Sequence, residues 1–112
     1  MIHYGGRLFR PVSIEGRSET GSDTIFKYEQ RDDLLLGTYS GGDIEFGSLI
    51  GKVDAQGHID MRYHHCNQAG ELMTGKCRSR PEVLPSGKIR LHEAWQWTCK
   101  DRSKGRSILE EI

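Results

Sequence analysis

The chain has no excess charge of either sign. Sixteen Lys and Arg are matched by sixteen Asp and Glu over 112 residues, so no large positive field awaits a phosphate backbone, and no basic run interleaved with aromatics supplies one locally. Nucleic acid is therefore not an expected partner. Long hydrophobic runs are missing as well: the longest, Leu34-Leu35-Leu36, falls far short of the roughly 20 residues a membrane-spanning helix needs. The opening MIHYGGRLFR lacks the apolar core of a signal peptide, and the expectation is a cytoplasmic protein without membrane contact. Cysteine is sparse. Cys66, Cys77 and Cys99 form an odd set with no close pair, which argues against a disulfide framework and suits a reducing compartment. A chain of this length supports one core, so residues 1–112 are expected to form a single domain with no cleft between domains.

What the chain does have is glycine, 14 residues of it, and apolar residues that alternate with polar ones instead of recurring at three and four. That period reads as strands. Only 107–112 admits a helical reading, and it is too short to be stable alone. Four short segments punctuate the alternation: Ser40-Gly41-Gly42-Asp43, Asp54-Ala55-Gln56-Gly57, Asn67-Gln68-Ala69-Gly70 and Leu84-Pro85-Ser86-Gly87. Asp or Asn opening a turn that closes on Gly is the signature of a type I turn with a left-handed Gly bulge, which joins antiparallel neighbours. Strands are expected near 7–12, 23–30, 33–40, 42–53, 58–66, 71–80, 88–99 and 106–111. Eight strands in a meander predict an all-β, antiparallel up-and-down barrel, an architecture that resembles the lipocalin-like and avidin-like barrels.

Turn geometry also sets register. The Asp54–Gly57 turn pairs Val53 with Ile59, Gly51 with Met61, Leu49 with Tyr63 and Gly47 with His65, and it sets Lys52 against Asp60 on the other face. The Asn67–Gly70 turn pairs His65 with Met73, Tyr63 with Gly75, Met61 with Cys77 and Ile59 with Ser79. The Leu84–Gly87 turn pairs Val83 with Ile89, Cys77 with Trp95, Gly75 with Trp97 and Met73 with Cys99, unless Pro81, which has no N–H, interrupts the ladder. All three turns place one apolar set inside and opposite charges outside. The inward glycines Gly47, Gly51 and Gly75 make room for the neighbouring large rings.

The first half of the chain conflicts with this scheme. Pairing through Gly41-Gly42 carries Leu34, Leu36 and Glu45 inward and turns Phe26, Tyr28, Leu35, Tyr39, Ile44 and Phe46 outward. Burying large side chains is worth roughly 1.5 to 3 kcal/mol each, more than a local ladder disruption costs. A β-bulge within one or two residues of Gly47 is therefore expected, re-aiming Ile44 and Phe46 inward. Without it, the outer apolar patch implies self-association, with a homodimer as the simplest form.

Few residues suggest chemistry. His64 and His65 are adjacent on a strand and point to opposite faces, so they do not chelate together, and no four-ligand zinc spacing exists; no metal is expected. His65 and Glu93 are the polar residues of the inward face, but their rows lie six residues apart along a strand, about 20 Å, too far for a dyad. Glu93 facing inward must find partners or shift its pKa; a water-contacting barrel-end position is the plainer reading. Cys77 and Cys99 read as small core residues. Met61, Tyr63, His65, Glu93, Trp95 and Trp97 are the candidate ligand-binding residues, an aromatic wall with two polar groups, although the same rings also serve simply to fill the barrel. No catalytic residue is identified and no cofactor motif is present.

The stretches GTYSGGDIEFGSLIG, IDMRYHHCNQAGELMTGKC and KIRLHEAWQWT resemble a family of short bacterial proteins that often carry the label N-acetylglutamate synthase, and the resemblance runs from about Phe26 to Ile112. The label implies acetyl transfer from acetyl-CoA. Acetyltransferases of the usual fold hold the pyrophosphate with a strand-to-helix loop of the form (Arg or Gln)-x-x-Gly-x-(Gly or Ala); this chain has no such loop, and no functional residue carries over. The function expected from the residues is binding of a small, partly apolar molecule in or at the mouth of the barrel. The alternatives are a small enzyme using Glu93 or His65 at a mouth and a self-associating protein without a ligand.

Overall fold

The computed structural model describes residues 2–112. Strands β1 (Leu8–Glu15), β2 (Ile25–Arg31), β3 (Leu34–Gly41), β4 (Ile44–Val53), β5 (Ile59–Asn67), β6 (Leu72–Val83), β7 (Ile89–Trp97) and β8 (Lys104–Glu111) follow one another around a closed antiparallel barrel, β8 pairing back onto β1. Several strand ends differ from expectation by two or three residues. β1 runs on to Glu15 and β6 to Val83, β2 and β4 start later, at Ile25 and Ile44, β7 stops at Trp97, and β8 starts earlier, at Lys104. The chain reverses between β7 and β8 with Lys100 and Arg102 at positive φ, a conformation that cannot continue a strand. The expected Met73–Cys99 pair thus falls outside the ladder, though Cys99 Sγ still lies 3.9 Å from Met73 Sδ.

The hairpin registers are those that the turns dictate. Gly57, Gly70 and Gly87 sit at φ 83°, 80° and 87°, each donating its N–H to the residue that opens its turn, Asp54, Asn67 and Leu84 respectively. Val53 meets Ile59, Met61 meets Cys77, and Cys77 meets Trp95. Pro81 does not break the ladder: it pairs with Leu91, and pairing continues to Val83 and Ile89. It lies past Ser79, where the β5 ladder ends, on a stretch of β6 that tolerates a missing N–H.

The conflict in the first half is resolved by a bulge at Glu45-Phe46. Gly41 pairs with Ile44 and Tyr39 with Gly47, so Glu45 and Phe46 together oppose Ser40; on the other side they oppose Cys66. The parity change buries Phe26, Tyr28, Leu35, Tyr39 and Ile44 and leaves Glu45 outside. Leu34 and Leu36, placed inward by turn geometry alone, lie half-buried on the outer face. Phe46 departs from expectation, since it stays outside and is 59% exposed. The two bulge residues share one outward place, and the next inward place belongs to Gly47. A Cβ there would stand 2.4 Å from Tyr39 Cζ and 2.6 Å from the Cβ of His65, leaving no room for a larger side chain.

The two ends of the barrel are closed differently. At the end holding the 54–58 and 84–88 turns, Tyr4 is fully buried against Phe9 and Tyr28, with ring centroids 6.4 and 6.3 Å away, and its hydroxyl donates to the Gly57 carbonyl. Arg7 ties this end to Glu111 at 2.9 Å. The other end is spanned by segment 16–24 between β1 and β2. It folds back on itself through Gly21 N–H to Thr24 Oγ1, and onto the β3–β4 turn through Asp43 N–H to the Glu19 carbonyl.

Candidate functional site

Inward-facing residues of the strands, together with Ser18, Glu19 and Thr20 of the end segment, enclose an interior space of about 60 Å³, room for a few waters. Met61, Tyr63, His65, Glu93, Trp95 and Trp97 all line it, as do Tyr28, Tyr39 and Cys77. The fold therefore brings the expected residues together. The rings fill most of the lumen: Trp97 stands edge-on to Tyr63, His65 and Trp95 with centroids 5.9, 5.7 and 6.1 Å away, and Phe26 stacks on Tyr39 at 5.0 Å. Each indole N–H has a partner, Ser107 Oγ for Trp95 at 2.9 Å and the Arg17 carbonyl for Trp97 at 2.7 Å.

His65 and Glu93 line the same space without bonding to one another. Glu93 comes from the middle of β7, between Ser79 and Ser107 on the neighbouring strands, and Ser79 Oγ donates to its Oε2 at 2.7 Å. It is an interior residue and not the barrel-end residue of the plainer reading. Burial pushes its carboxyl up to about 7, against the opposing pull of hydrogen bonds from Ser79 and Cys77, because the charged form gives up hydration there. Below that pH the group is neutral and carries a proton available for donation. Burial likewise pushes the Cys77 thiol well up, so no thiolate nucleophile stands beside it. Burial also raises Tyr28, whose hydroxyl is fully enclosed and has no hydrogen-bond partner among the described residues.

At the covered end His65 is bonded on both ring nitrogens. Tyr39 OH lies 2.9 Å from Nδ1 and Glu19 Oε1 2.7 Å from Nε2; a carboxylate only accepts, so Nε2 donates. The second oxygen of Glu19 accepts from Asn67 Nδ2 at 2.9 Å. Sequence reasoning missed Glu19, Asn67 and the unpaired Tyr28. Asn67 reads only as a turn opener, and Glu19 lies in a segment without period. Its one legible signal is length, since 16–24 is longer than the other connections.

Among the described residues no group of three or more His, Cys, Asp or Glu is placed to hold a metal ion, and the three cysteines are free thiols. No helix is long and apolar enough to cross a membrane. On the outside, Phe46, Cys66 and Leu72 adjoin in register, with Phe46 and Leu72 59% and 81% exposed.

The sequence model of a family described as avidin-like protein matches residues 2–112. No curated protein and no solved structure matches the chain.

Proposed function

We propose that this chain, which belongs to the avidin-like protein family, binds a small, partly apolar molecule inside its barrel. The observation that carries this reading is the Tyr28 hydroxyl, fully buried and unpartnered on the wall of an aromatic-lined cavity. A buried hydroxyl without a partner is costly; a ligand carbonyl or hydroxyl satisfies it, and the neutral Glu93 carboxyl beside the same space offers such a ligand a second polar group. At about 60 Å³ the cavity takes a short chain or one small end group as it stands, so a larger molecule enters by moving segment 16–24.

Both tryptophans line the cavity, so binding is visible in their emission. Titration with hexanol and hexanamide is expected to shift it saturably, and Tyr28→Phe to weaken binding by about three- to ten-fold, the worth of one hydrogen bond. In the absence of ligand the same variant is expected to be at least as stable as the parent, because it removes an unsatisfied group. If neither molecule perturbs the wild-type emission, interior binding is wrong.

The adjoining exposed side chains of Phe46 and Leu72 favour a second, compatible reading, in which this outer row seats another copy of the chain. Phe46→Ser with Leu72→Ser is expected to lower the sedimentation coefficient to that of a monomer. A wild-type chain already monomeric at the highest concentration rejects this reading.

A further inference from the structure

The carboxylate of Glu19 is held as a bound anion is held. His65 and Asn67 stand at i and i+2 on β5, so both face inward, and their side chains reach one oxygen each at 2.7 and 2.9 Å. Both are nine-tenths or more buried, whereas Glu19 arrives from segment 16–24 and keeps 23% of its side chain open to solvent. The donors are fixed independently of Glu19. Tyr39 OH holds His65 Nδ1 at 2.9 Å. Asn67 Oδ1 accepts the N–H groups of Ala69 and Glu71 at 3.1 and 2.9 Å, which leaves its NH₂ aimed at Glu19 Oε2 and, at 3.1 Å, Glu71 Oε1.

We infer that Glu19 occupies a carboxylate subsite at the barrel mouth and that the natural ligand is a small carboxylic acid whose apolar chain enters the aromatic interior. The inference rests on the interior-binding reading and names the ligand's charged end. If segment 16–24 moved away alone, His65 Nε2 would lose its acceptor and Asn67 Nδ2 would keep only Glu71, which is unfavourable; an incoming carboxylate satisfies both again. The exchange is neutral in charge, since one carboxylate leaves for solvent as another arrives. Of the other charges at this end, Glu71 pairs with Lys100 and Arg17 with Asp101. Glu19 is thus an intramolecular competitor that lowers apparent affinity.

The test is calorimetric titration of the full chain with hexanoate and with its neutral isostere hexanamide. Glu19→Ala is expected to bind hexanoate on the order of ten-fold more tightly than wild type, with hexanamide unchanged. Adding Asn67→Asp, which keeps the two turn bonds to Oδ1 and removes the donor, is expected to erase the gain. Near-ultraviolet circular dichroism verifies the fold, and if Glu19→Ala is unfolded, Glu19→Gln carries the test, with a smaller gain of the same sign. Equal gains for acid and amide overturn the inference and leave segment 16–24 a simple cover. Binding of hexanamide without any gain for hexanoate overturns it while sparing the interior-binding reading. Binding of neither molecule to any variant overturns both.

Discussion

Trp95→Ala is expected to destabilise the barrel by about 3 to 5 kcal/mol, the range for deleting a large buried aromatic. Trp95 is 8% exposed, faces Cys77 on β6 and Gly105 on β8, and stands edge-on to Trp97. Its indole also fills the space that Gly105 vacates: a Cβ at Gly105 would lie 2.2 Å from Trp95 Cζ2 and 2.3 Å from the Glu15 carbonyl oxygen. The glycine backbone on one side and the Trp97 ring on the other leave little that can collapse into the hole, so the cavity term adds to the lost burial. Phe46→Ala is the contrast, because its ring is mostly in water, and a change within about 0.5 kcal/mol is expected. Urea unfolding of both variants, compared at constant m-value, checks the pair; similar losses would mean that Trp95 is not a core residue.

The second large effect is a pH dependence carried by Glu93. Its carboxyl is neutral up to about pH 7 in the folded barrel, held there chiefly by burial, whereas in the unfolded chain it ionises near the ordinary value of about 4.3. The folded state therefore keeps a proton that the unfolded state gives up. The contribution is fully present below the unfolded value, declines as pH rises, and is lost above the folded value. At 1.36 kcal/mol per pKa unit the loss between pH 4 and 8 is on the order of 3 kcal/mol. Glu93→Gln retains the acceptor for Ser79 and abolishes the titration, so the stability difference between variant and wild type is expected to grow across that interval in the variant's favour. Exposed carboxylates such as Asp60 beside Arg62, and Glu82 beside His92, are held low by those partners and act in the opposite direction, but they are common to both proteins and cancel in the difference. Parallel stability curves would show that Glu93 is solvated.

Much of this site was legible as a set of faces and little of it as a set of contacts. The sequence places Met61, Tyr63, His65, Trp95 and Trp97 in the interior because each belongs to a hairpin whose turn sets its register within a few residues. His65 and Glu93 keep the row separation that the turns set, Glu93 opposite Ser79 and Ile59, and His65 opposite Met73. Both nonetheless line one space, and their hydrogen bonds go to different partners. The bulge near Gly47 followed from weighing apolar burial against one disrupted pair. The fate of Phe46 did not, because it depends on Tyr39 and His65 occupying the space beside Gly47, contacts made by two other strands.

The sequence alone determined the strands, their antiparallel order and the pairing across each glycine-closed turn, because two-residue periodicity and left-handed glycines act over distances shorter than a hairpin. Only the tertiary structure decided that Tyr4 plugs one end and that Glu19 meets His65 and Asn67 at the other, contacts that link residues 46 and 48 positions apart. It also decided the protonation of Glu93 and the isolation of the Tyr28 hydroxyl. Desolvation is set by everything that surrounds a group at once, and in a closed barrel those surroundings come from every strand.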